Sequence, residues 1–202
     1  MFQKKEEIFM NWKKTIDYIQ DKPININDNW YYHSMIKEDL ELVKEILQNG
    51  LKSAHLRGEK RGGLYNGKYY ISLNKRNEDP DSSFNQYAKH HDIRFIFDNI
   101  NPIHAKFNFD IFFMFCNTII PIRSSGWEDE YHAFGKVEPS KIVALEYSLH
   151  YMTKEGYRFD KEKLIYLKQV ILCLKELKKD LPIYDYTSNK EYNKDKVLSL
   201  NL

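Results

Sequence analysis

The sequence predicts an α+β fold, with helices flanking a β core near both termini. Short runs rich in aromatic and β-branched residues recur along the 202-residue chain, while apolar residues at helical spacing mark both ends and one stretch between them. Hydrophobic residues make up 42% and charged residues 30%, enough apolar surface for a core and too much for a disordered chain. That length suits one domain over residues 1–202.

The elements follow in order. Ile8, Trp12, Ile16 and Ile19 are spaced as one face of a helix over residues 3–20. Pro23, Asn25, Asn27 and Asp28 then mark a loop. Trp30-Tyr31-Tyr32-His33-Ser34-Met35 is short and aromatic, which suits a strand. Ile36, Leu40, Val43 and Leu47 form a helix stripe that Gly50 stops. A loop carrying Gly58, Gly62 and Gly63 leads to a second strand, Tyr69-Tyr70-Ile71-Ser72-Leu73. Asn74 to Ser83 is polar and turn-like, and Phe84 to His90 reads as a weak helix. Ile93 to Phe97, Thr118 to Ile122, Glu128 to Val137 and Ile142 to Leu149 are further strands, the last two joined at Glu138-Pro139-Ser140. Leu164, Leu167, Ile171 and Leu174 set a helix over 161–178, leaving 183–202 as a polar, poorly ordered tail.

Charge and cysteine content exclude several classes. The net charge of +2, from 31 basic and 29 acidic residues, gives no general electrostatic reason for nucleic-acid or membrane binding. The basic run His55 to Arg61 is the local exception. Cys116 and Cys173 sit far apart in apolar company, as buried reduced thiols do, and no metal-ligand spacing is present. No stretch approaches the roughly 18 apolar residues of a membrane span. The opening residues lack the apolar core of a secretory signal, so a cytoplasmic protein is expected, with export by a route needing no such signal left open.

Chemistry enters through the order of three side chains: a His on the first strand, a Tyr on the second, and a Glu on a late strand. Tyr32-His33-Ser34, Asn66-Gly67-Lys68-Tyr69-Tyr70-Ile71-Ser72 and Glu130-Tyr131-His132-Ala133-Phe134 together resemble the ADP-ribosyltransferase fold. The similarity is to its His-Tyr-Glu branch, which includes the diphtheria-toxin-like and poly(ADP-ribose) polymerase enzymes, and it covers residues 30–150. It implies a split, mostly antiparallel β core and NAD as co-substrate. It further implies that His33 bonds a ribose hydroxyl, that Tyr70 (Tyr69 less so by register) stacks on nicotinamide, and that Glu130 holds the 2-hydroxyl of the nicotinamide ribose. Ser34 stands where the family has a Gly that grips the amide, and Lys75-Arg76 where a Lys-Ser pair is usual; Ser72 completes the second motif. A fixed carboxylate beside a sugar on which positive charge develops is the kind of preorganised electrostatics that dominates catalysis.

Glu128 lies two residues before Glu130, the spacing used by the arginine-modifying branch, and two residues share one face of a strand. Glu128 is therefore an acceptor-side candidate. The first-strand Arg and the Ser-Thr-Ser of that branch are absent. Taken singly, each residue has a plainer reading: His33 a packed histidine, Tyr70 one of 15 tyrosines, Glu128 to Glu130 a solvated turn. Cys116 with His104 or His132 lacks any activating surroundings, and the glycine loop lacks a phosphate-binding pattern. Two alternatives stay open: an RNA 2′-phosphotransferase on the same scaffold, and an inactive NAD-binding or interaction module. The expected partners are NAD and a macromolecular acceptor, protein rather than nucleic acid, with no membrane.

Overall fold

The computed structural model describes residues 12–35, 38–58, 69–79, 81–82, 84–85, 93–104, 112–115, 118–121, 129–153 and 156–200. The architecture is α+β with mostly antiparallel strand pairing. Two compact units emerge, one from residues 26–143 and one from residues 1–25 with 144–202.

In the 26–143 unit, strands β2 (Tyr31–Met35), β4 (Tyr70–Asn74), β5 (Ile93–Phe97), β6 (Ile103–His104) and β9 (Glu130–Phe134) lie in the order β5-β2-β4-β9-β6. All recorded pairings among them are antiparallel. β5 is buried along its whole length, as its run of Ile and Phe requires. Helix α2 (Leu40–Asn49) begins at Asp39, whose carboxylate accepts the amide of Leu42 at 3.0 Å, and buries Val43, Ile46 and Leu47. Gly50 ends it with φ +80° and ψ 172°, a backbone region open essentially to glycine alone. The next two residues, β3 (Leu51–Lys52), pair with β10 (Lys136–Val137). Gly135, at φ +73°, bends the chain between β9 and β10, so the expected strand 128–137 is two strands with different partners. β7 (Phe112–Phe115) and β8 (Thr118–Pro121) form a hairpin.

In the other unit, residues 12–19 are helical (α1) and β1 (Gln20–Pro23) follows, where the sequence reading had a helix end and a loop. β11 (Ile142–Tyr147) brings its last four residues into this unit, with the hairpin β12 (His150–Thr153) and β13 (Gly156–Phe159), helix α3 (Lys161–Glu176), β14 (Ile183–Asp185), β15 (Lys190–Tyr192) and helix α4 (Lys194–Ser199). The strand order is β1-β15-β14-β11, and β11 and β14 run parallel. Helix α3 presents Leu164, Leu167, Ile171 and Leu174 to the core, as their spacing predicts, and Cys173 is buried beside them. Cys116 lies outside the described residues.

The polar tail over 183–202 is a correction. Residues 183–199 hold two strands and a helix, organised around a buried carboxylate rather than an apolar stripe. Asp185, 1% exposed, accepts Gln20 Nε2 at 2.5 Å, Ser188 Oγ at 3.2 Å, and the amide and hydroxyl of Thr187 at 2.9 Å each. A buried carboxylate is tolerated when donors surround it, and this one closes the β14–β15 turn. Among the described residues no helix is long and apolar enough to cross a membrane.

Tyr192, fully buried nearby, donates to the carbonyl of Tyr147 at 3.3 Å. Burial, reinforced by the Asp185 carboxylate, pushes its hydroxyl well above the ordinary tyrosine range. The neutral form is thus favoured in the folded state. The associated stability is complete below the unfolded value of about 10 and declines as pH rises past it. Urea unfolding at pH 7 should find Tyr192→Phe weaker than wild type by about 0.5–1.5 kcal/mol, the loss of one hydrogen bond. By about pH 11 the difference should shrink or invert, because the variant lacks the ionisable group. Parallel pH profiles for the two proteins would contradict this account.

Candidate functional site

The site is assembled on β4 and β9. Their register sets Tyr70 against Phe134, Ser72 against His132 and Asn74 against Glu130. Alternation then puts Tyr70, Ser72 and Asn74 on one face with Glu130, His132 and Phe134. The side chains lean along the strands and meet diagonal partners. Ser72 Oγ donates to Glu130 Oε1, and the ring of Tyr70 stacks on His132 at 3.8 Å with a 23° interplanar angle. Phe134 meets the Tyr70 ring edge-on at 6.2 Å.

Glu130 is 7% exposed and His132 1%. His132 Nε2 lies 3.3 Å from Glu130 Oε1. When Glu130 is ionised its carboxylate only accepts, and the imidazole is then the donor. The residue before Glu130 is anchored as well: Asp129 Oδ2 accepts the amide of Phe84 at 2.7 Å and its carbonyl accepts the amide of Lys75 at 2.9 Å. A carboxylate held by two side chains, on a strand whose first residues are pinned, has little freedom to turn away. That is preorganisation in the structural sense.

His33 reaches this cluster through Ser72. Its Nδ1 lies 2.8 Å from the Ser72 carbonyl, the same residue whose hydroxyl holds Glu130. By register, however, Tyr32 is level with Asn74 and Glu130, and His33 is one position along. His33 therefore belongs to the row of Tyr31 and Met35, on the side away from Tyr70 and Glu130. The β2–β4 ladder is bridged at Tyr32–Asn74, and toward Ser72 the His33 ring stands where a main-chain partner would.

On that side His33 and Met35 line an open cavity of about 890 Å³ with Leu42, Ile46 and Leu51, bordered by Lys52, Arg57, Asp39 and Glu45; Ser34 also borders it, though its row is that of Tyr32. Its volume lies within the about 300–1,000 Å³ of small-molecule sites. Tyr69 precedes β4, and its ring lies against His55 at 5.0 Å, away from Glu130. Glu128 lies outside the described residues, as do Gly62, Gly63 and most of the expected helix from Phe84 to His90.

The structure thus joins Ser72 and Glu130 directly, brings Tyr70 to them through His132, and attaches His33 through a main-chain carbonyl. It adds His132, which sequence reasoning weighed only as a partner for Cys116. The signal was available: His132 is two residues past Glu130 on the same strand, hence on its face. Among the described residues no cluster of His, Cys, Asp and Glu is arranged to hold a metal ion. No protein-family model, curated protein or solved structure matches the chain.

Proposed function

We propose that the chain is an NAD-dependent mono-ADP-ribosyltransferase that moves ADP-ribose to an acceptor, a protein in preference to a nucleic acid, with release of nicotinamide. The observation that carries this reading is the buried carboxylate of Glu130, braced by Ser72 and His132 beside the stacked ring of Tyr70. NAD would supply one labile bond, between nicotinamide and its ribose. Glu130 would accept the 2-hydroxyl of that ribose and offset positive charge growing on the sugar; in a water-poor site such a fixed charge contributes more than it would in water.

Tyr70 keeps partial exposure, with His132 covering one side of its ring. A nicotinamide would stack on the other side. The cavity beside His33 lies on the opposite face of the sheet, with Asp39 and Glu45 as well as Lys52 and Arg57 in its lining, and is not part of this site. The residues present fit the co-substrate in chemistry. The rows of His33 and Glu130 lie on opposite faces of the sheet, so NAD bound at Glu130 would lie wholly on the Tyr70 side, and His33 would act on it only through the Ser72 main chain.

The test is incubation of the purified chain with labelled NAD and a cell lysate. Nicotinamide release with label in the protein fraction is the expected result. Release with only free ADP-ribose would make the chain a hydrolase, and NAD binding with no release would make it a binding module. Phosphate transfer from RNA without NAD cleavage would favour the phosphotransferase.

A further inference from the structure

We infer that His132 is a positioning residue that ties the carboxylate of Glu130 to the ring of Tyr70, so that the two groups hold one arrangement. Its kinetic consequences rest on the transferase reading; the contacts themselves do not. One imidazole makes two contacts of different kinds. Its face lies on Tyr70 at 3.8 Å, and its edge presents Nε2 to Glu130 Oε1 at 3.3 Å. Few side chains can do both: a phenyl ring keeps the face without the donor, and a carboxamide keeps the donor without the ring.

The surroundings make the two contacts hard to replace. His132 sits mid-strand in β9, paired with Ser72 of β4 on one side and Ile103 of β6 on the other, so its backbone is held from both edges. At 1% exposure no bulk water can stand in for the N–H that Glu130 receives. Buried carboxylates depend on such donors. Rotation of Glu130 away from Ser72 would break the His132 contact, and His132 is braced against moving by Tyr70. The same stack limits an incoming flat ring to the opposite side of Tyr70, which makes His132 a determinant of how that ring is placed.

The experiment compares His132→Phe with His132→Gln in NAD cleavage, with thermal melts of both. His132→Phe should lower kcat roughly 10–100-fold, the effect of removing a hydrogen bond to a charged group, with KM within about threefold. His132→Gln should keep kcat within about threefold and raise KM up to about tenfold, the effect of losing an aromatic stack. Equal losses in both variants that track a lowered melting temperature would reduce His132 to a packed core residue and overturn the inference.

A second measurement is independent of NAD. Long-range 1H–15N spectra of the wild-type chain should show hydrogen on His132 Nε2, and Glu130→Ala should move that group's resonance as its hydrogen bond is lost. Hydrogen on Nδ1 alone in wild type would overturn the inference even if NAD is cleaved. A wild-type chain that shows the Nε2 hydrogen and its dependence on Glu130, yet leaves NAD intact, would remove the transferase reading and retain the pairing.

Discussion

Glu130→Ala is expected to lower nicotinamide release from NAD by at least about 100-fold, the usual scale for a preorganised group facing developing charge. Alanine also leaves the Ser72 hydroxyl and the His132 N–H facing a void, at about 1–3 kcal/mol for each donor left unmet. A lower melting temperature should therefore accompany that variant. Glu130→Gln separates the two effects. Its carbonyl oxygen can still accept from Ser72 and His132, so the fold should hold to within about 1 kcal/mol, while the negative charge is gone and most of the rate with it. Rate loss in the alanine variant alone, with the glutamine variant as active as wild type, would assign Glu130 a structural part only.

The largest effect on stability is expected at Gly50, far from the carboxylate in sequence and linked to it through β10 and β9. A Cβ placed there would lie 2.2 Å from the carbonyl oxygen of Val137 and 3.0 Å from Pro139 Cδ. The backbone conformation adds to this, since φ +80° with ψ 172° is costly for any side chain. Strain of about 1–3 kcal/mol and overpacking of about 1–3 kcal/mol give about 2–6 kcal/mol in all. For a chain of this size that lowers Tm on the order of 10 °C. Val137 ends β10, which follows β9 directly after Gly135, so the same collision pushes on the strand that carries Glu130 and His132. Gly50→Ala should thus lose activity at temperatures where it remains folded. A change of Tm under about 3 °C would contradict the close approach of helix α2 and β10.

The strands that position the site were legible because their runs are unambiguous. Tyr31 to Met35, Tyr70 to Leu73 and Ile93 to Phe97 are aromatic or β-branched segments bounded by turn residues, and helix α2 announced itself by one apolar stripe and a terminal glycine. What could not be read was register. Nothing in the sequence says that Tyr32 is the residue level with Asn74, and a shift of one residue exchanges the faces of a strand. For that reason the side on which His33 stands was invisible until the strands were paired.

The last twenty residues escaped for a different reason. Their strands are held by Asp185 and its donors, and a polar network has no periodic signature of the kind that apolar burial leaves. His132 was within reach. The rule that two residues apart share a face was applied backward from Glu130 to Glu128, and applied forward it finds the imidazole.

A crystal structure of the chain with a non-cleavable NAD analogue tests the central claim most directly. The account predicts the nicotinamide ring on the side of Tyr70 away from His132 and a ribose hydroxyl within hydrogen-bonding reach of Glu130. An analogue bound elsewhere, or confined to the cavity with no contact to Glu130, would contradict it.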